Sequence, residues 1–202
     1  MIKLLWNLLA LAGLALVAGV IWVSVTYGFG LQNFKDFANL KNFDPKAGAV
    51  YVDMTKTLLA TGNAAEATVW KKKVGEDLSA EDVEDIMRFV ANEHNIKNVG
   101  ELPLSKEVEA MTGKDQRYLK IYMFCDPLTA AQMVEYSDAF SAYLPCRIAM
   151  IEDKTGQLWL YTMNMDMMIH GGTELPDDLY EEANKVKETI LDIMNRGAEG
   201  EF

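Results

Sequence analysis

Residues 118–125 read YLKIYMFC and residues 146–164 read CRIAMIEDKTGQLWLYTMN. Both runs are dense in β-branched and aromatic side chains, which fit a pleated, half-buried surface. The second run is interrupted only by Asp153-Lys154-Thr155-Gly156, a turn cluster with glycine in last place. The pattern predicts one strand over 118–125 and a hairpin formed by 146–152 and 157–164. Asp126-Pro127, directly after the first strand, supplies a cap and a proline at the first helical position. A helix is therefore expected from there to about Tyr136.

Working downstream, Leu179, Ala183, Val186, Ile190 and Ile193 alternate by four and three after Pro176. That is the single apolar stripe of a helix lying on a core, with Gly197 as its expected stop. Residues 174–201 carry nine acids against three bases, and these form the solvated face of the same helix. Working upstream, Thr68–Val74 and Ile96–Leu104 read as strands. Between them Ser79 and Asp82 form a capping-box-like start, and Val83, Ile86, Met87 and Val90 fall on one helical face. Ser105–Thr112 is a short helix closed by Gly113. The predicted order is β-α-β-β-(α)-β-β-α, an α+β two-layer domain with a mostly antiparallel sheet.

The domain has a long preface. Leu4–Val25 reads LLWNLLALAGLALVAGVIWVSV, uncharged over 22 residues. At ~1.5 Å per residue such a helix spans the ~30 Å hydrocarbon layer. The A-x-A match Ala10-Leu11-Ala12 lies mid-run, and Ile21, Trp22 and Val23 stand where a cleavable leader turns polar, so the expectation is an uncleaved transmembrane anchor. Membrane lipid is thus a partner through residues 4–25, and Ala15-x-x-x-Gly19 offers a small-residue face for a membrane-complex partner. One lysine precedes the span. With a strongly acidic domain behind it, the anchor is expected to run N-in, placing that domain on the periplasmic side of the inner membrane. Leu31, Phe34, Phe37, Leu40 and Phe43 recur every third residue, as in an interfacial amphipathic helix. Asp44-Pro45 then opens a helix that Gly62 closes. The expected division is anchor 1–28, interfacial segment and helix 29–63, α+β domain 64–172, and terminal helix 173–202.

The whole chain holds 30 acidic and 19 basic residues. A balance so far to the acid side excludes nucleic acid as a partner, since phosphates require a basic face.

Phe124-Cys125-Asp126-Pro127, Leu144-Pro145-Cys146-Arg147-Ile148-Ala149, and Ile151-Glu152-Asp153 followed by a glycine before the last strand resemble the bacterial family known as domain of unknown function 302. The resemblance runs over about residues 64–172, with the anchor and terminal helix as additions of a membrane-attached subgroup. It implies a compact α+β fold with an antiparallel sheet, frequently as a homodimer, and no defined activity. Many relatives have an apolar residue where Cys146 stands.

Function must be read from side chains. In an antiparallel meander of strands two to five, chain direction places Cys125 and Cys146 at one edge of the sheet. The loop after the last strand, with Met163, Met165, Met167, Met168 and His170, and the helix end at His94 reach the same edge. Thioether, thiol and imidazole donors suit copper(I) or the axial positions of a haem. The bland alternatives are core-filling methionines and a histidine that caps a helix. Cys125 beside a helix N-terminus and Cys146 beside Arg147 have the ingredients of a redox pair; a plain disulfide or two small buried hydrophobes are the structural alternatives. Gly171-Gly172, with Arg147, is a candidate ligand cradle, although a glycine pair after a strand is commonly a turn. No C-x-x-C, H-x-x-x-H or G-x-S-x-G spacing occurs, so the expectation is a binding or accessory protein serving a sulfur or electron-transfer pathway rather than an enzyme. The alternatives are a redox or metal site and a scaffold subunit.

Overall fold

The computed structural model describes residues 2–28 and 43–202. Two compact units make up the chain, 1–43 and 44–202. In the first, helix α1 (Ile2–Tyr27) contains one stretch, Leu5–Thr26, long and apolar enough to cross a membrane. A signal sequence has the same properties. The expected interfacial segment, with Leu31, Phe34, Phe37 and Leu40, lies outside the described residues.

The second unit opens with helix α2 (Ala47–Thr61), which Gly62 closes at φ 65°, and one turn, α3 (Ala64–Ala67), capped by Asn63. Asp44 does not cap α2. Its Oδ1 accepts from the Lys46 amide at 2.7 Å and the helix starts three residues later, because the carboxylate is turned inward. Then follow β1 (Val69–Lys73), α4 (Ala80–Glu93), β2 (Lys97–Leu102), α5 (Leu104–Thr112), β3 (Leu119–Cys125), α6 (Pro127–Tyr136), a 3₁₀ segment (Asp138–Tyr143), β4 (Cys146–Glu152), β5 (Leu158–Met163), α7 (Asp166–His170) and α8 (Asp177–Glu199). The local signals act as expected. Ser79 and Asp82 complete a reciprocal capping box, and Asp126 Oδ1 accepts from the Leu128 and Thr129 amides. Asp153 Oδ1 gathers the Thr155 hydroxyl and amide and the Gln157 amide, and Gly156 takes φ 89° in that turn.

The five strands form one antiparallel sheet in the order β1-β5-β4-β3-β2. The alternation of a pleated strand sends Tyr122, Phe124, Ile148, Met150, Leu160 and Thr162 to one face, where all are buried. Helices α4 and α8 cover that face with Val83, Ile86, Met87, Val90, Ile190 and Ile193. Gly197 is not the helix stop. It lies inside α8 and is buried, where a β-carbon would stand 2.8 Å from Met87 Cγ, and α8 ends at Gly200 with φ 81°. Glycine there allows two helices to approach, and its neighbour three residues on provides the left-handed turn. Helices α2 and α8, which lie outside the 64–172 range expected for the domain, both fall within the compact unit beginning at Asp44.

Along the rim between α4 and strands β2 and β3 runs a polar seam. Glu84 accepts from Lys120 Nζ, Arg88 and the Tyr118 hydroxyl, each at 2.8 Å, while Arg88 forks onto Glu101. Burial raises the Glu84 carboxyl, but hydrogen bonds from Lys120, Tyr122 and Tyr118 outweigh it and hold the group down to about 2.

Candidate functional site

The other face of the sheet also carries apolar side chains, yet lacks a matching helix layer among the described residues. Ile121 pairs with Ala149, Ala149 with Tyr161, and Met163 with Val69, so these form a continuous half-buried surface. Helix α2 contributes Tyr51, the 3₁₀ segment contributes Ala139, Phe140 and Tyr143, and Gly171-Gly172 closes the end. Together they bound an open cleft of about 900 Å³, within the size range of small-molecule sites. Arg147 projects into it from β4 and is exposed. Its neighbour Cys146 lies on the opposite, helix-covered face, packed against the core.

Gly171 has a geometric reason to be glycine. A β-carbon there would lie 2.2 Å from the Met167 carbonyl oxygen, and the Gly171 carbonyl accepts the Tyr51 hydroxyl at 2.5 Å. The Asp44 amide donates to the Gly172 carbonyl at 2.9 Å. The glycine pair thus joins α2 to the end of α7 beside the cleft.

Behind the sheet lies a second, much smaller cavity of about 40 Å³. Cys125, Cys146, Met165 and Met168 all line it, with Phe124, Phe140 and Tyr143. Cys146 pairs with Phe124, so the two cysteines are one residue out of register on adjacent strands, about 6 Å apart by sheet geometry. Both are free thiols. Burial pushes the Cys146 thiol up to about 11, with Cys125 adding to the rise and Arg147 opposing it. Burial also raises Cys125, and the Asp126 carboxylate adds to it. Burial and the Asp126 carboxylate thus oppose the thiolate that a helix N-terminus favours, since the residue that caps the helix is itself an anion beside the sulfur.

The structure splits the expected methionine and histidine cluster. Met165 and Met168 reach the thiol cavity, whereas Met163 and Met167 line the cleft together with Met168. Residues 166–170 form the short helix α7 rather than a loop. His170 is buried, with Nδ1 2.8 Å from Asp44 Oδ2 and its ring 5.7 Å from that of Tyr180. That hydrogen bond, with the Lys46 amide, overcomes the upward pull of burial and lowers the Asp44 carboxyl. His94 caps α4 and meets Asp192 of α8 at 2.7 Å. Neither histidine lines the thiol cavity, and among the described residues no three His, Cys, Asp or Glu side chains converge as metal ligands. Asp44 and the Glu84–Lys120–Glu101 seam escaped sequence reasoning. Only Glu84 and Arg88, four apart on a helix, carried a local signal.

No curated protein matches the chain. Among solved structures it is similar to the crystal structure of an uncharacterized conserved DUF302 protein from Bacillus stearothermophilus, with a TM-score of 0.53 and 11% identity over 64% of this chain and 97% of that one. At that identity the likeness concerns the fold. The family model for the domain of unknown function DUF302 matches residues 70–197, which takes in helix α8 as part of the domain. With the sheet, its helix layer and most of the chain inside that match, the protein belongs to the DUF302 family.

Proposed function

We propose that this chain is a membrane-anchored DUF302 protein of the inner membrane, its domain periplasmic, acting as a binding or accessory protein through the open-face cleft. The observation that carries the reading is the cleft itself. An apolar sheet face, framed by Tyr51, Phe140, Tyr143 and Tyr161, bounds an open cleft of about 900 Å³, within the size range of small-molecule sites. The span Leu5–Thr26 supports the tether, and the acidic composition suits a domain held near an anionic bilayer only by that tether. Ala149→Trp tests the site, because an indole at the centre of the face fills the cleft. Small molecules extracted from the detergent-purified chain and identified by mass spectrometry should be depleted in the variant. Equal recovery from both would remove the cleft as the site. An alkaline phosphatase fused after Phe202 tests the side of the membrane: activity is expected, and an inactive fusion would put the domain in the cytoplasm.

A second reading rests on the thiol cavity. Cys125, Cys146, Met165 and Met168 are a soft, sulfur-only donor set, suited to copper(I) or to a dithiol–disulfide couple in an electron-transfer pathway. A space of about 40 Å³ admits an ion and no haem. Copper(I) titration against a chromophoric chelator, with Cys146→Ser as control, should show one sulfur-dependent site. Retention of all copper by the chelator would end this reading.

A further inference from the structure

From the charges around the cleft we infer that its ligand is an organic monoanion with an apolar body, a carboxylate or sulfonate on an aromatic or aliphatic frame. This rests on the cleft being the binding site. The chain has four arginines. Arg88 and Arg196 form ion pairs with Glu101 and Glu93, and Arg117 donates to the Glu152 carbonyl. The Arg147 guanidinium alone donates no hydrogen bond and makes no ion pair among the described residues, in a chain with a net charge of −11. It is also the sole charged lining of the cleft among those residues. A carboxylate-rich protein that keeps carboxylates away from one guanidinium, and surrounds it with rings and methyl groups, has built an anion subsite on an apolar floor. Guanidinium forks match carboxylate and sulfonate oxygens with two parallel hydrogen bonds, and the low-dielectric walls strengthen them. Ile121, Ala149 and Tyr161 receive the apolar body, while Arg147 fixes the charged end. A dianionic phosphate ester would leave charge unmatched, since among the described residues no second cation lines the cleft.

The test uses the full chain in phosphatidylcholine nanodiscs, titrated calorimetrically with 2-naphthoate and its neutral isostere 2-naphthamide, empty discs serving as blank. Naphthoate should bind about tenfold tighter than naphthamide, the difference expected for one partly exposed charge-assisted pair. Arg147→Gln, a change at an exposed side chain, should erase that difference while leaving the melting temperature unchanged. Equal binding of both probes, lost in Ala149→Trp, would overturn the anion assignment and leave the cleft reading intact. Failure of both probes to bind the wild-type chain would overturn the two together. Repeating the titration with phosphatidylglycerol in the discs separates sources of the anion. Unchanged affinity supports a water-soluble carboxylate or sulfonate, whereas competition by the phosphodiester headgroup would overturn that choice in favour of an anionic lipid.

Discussion

The two faces of the sheet are built from similar residues and have opposite fates. On one, Tyr122, Phe124, Ile148, Met150 and Leu160 are each at most 1% exposed beneath α4 and α8. On the other, Leu119, Ile121, Met123, Ala149, Ile151, Trp159, Tyr161 and Met163 are only half-buried. Apolar composition therefore does not identify the core; a covering layer does. The difference between the faces should be measurable as stability on one side and as binding on the other.

The largest effect is expected where the cover meets the sheet. Ile190 is fully buried, so Ile190→Asp places an unpaired carboxylate in the core at a cost on the order of 4 kcal/mol or more. Urea unfolding of the full chain in mild detergent should show loss of the folded state or a large fall in midpoint. A small change would mean that α8 is not the lid of this face. Next comes a matched pair on adjacent strands. Ile148→Ala should cost about 2–5 kcal/mol, as deletions from closed cores do, whereas Ile121→Ala should cost about 1 kcal/mol. Equal losses would show that something covers the second face as fully as the first.

The polar seam at the rim gives a pH-dependent measurement. The Glu84 carboxyl is lower when folded than its ordinary value, so its contribution is complete above about pH 4.5 and is lost as pH falls toward about 2. Glu84→Gln should flatten the loss of stability between neutral pH and pH 3 by on the order of 2 kcal/mol, since the variant has no proton to take up there. An unchanged pH slope would detach Glu84 from the fold's acid sensitivity. The smallest effect belongs to the solvated side of α8. Lys185 is 72% exposed and 4.0 Å from Glu182, so Lys185→Ala should leave the melting temperature within a degree or so. Lys187, in contrast, is only 14% exposed and bound to Asp166, so it belongs to the packed side.

Features set by neighbours in sequence were legible in the sequence. The caps at Ser79 and Asp126 and the turn at Asp153 act over four residues or fewer, and the stripe of α8 repeats within one helix. So the order of elements along the chain and the antiparallel hairpin could be derived. The Asp44–His170 bond closes over 126 positions, and no periodicity announces it. Met165 and Met167 read alike as alternate residues of an extended loop. With Met165 at the N-cap and Met167 inside the short helix α7, they part to line different cavities, because the period changes from two to 3.6. The cleft was the least legible feature, because an unfilled volume is a property of elements that fail to meet.

One peptide unit separates Cys146 from Arg147, and the two side chains leave β4 on opposite sides. A slip of β4 by one residue would exchange them, driving a guanidinium into an apolar cavity of about 40 Å³ and a thiol into the cleft. The Thr162 hydroxyl, buried in the next strand, donates to the Arg147 carbonyl at 2.8 Å and holds that register from the side. The small cavity and the open cleft share a single wall one strand thick. The register of β4 therefore sets at once which of its side chains faces the cleft and which lines the small cavity.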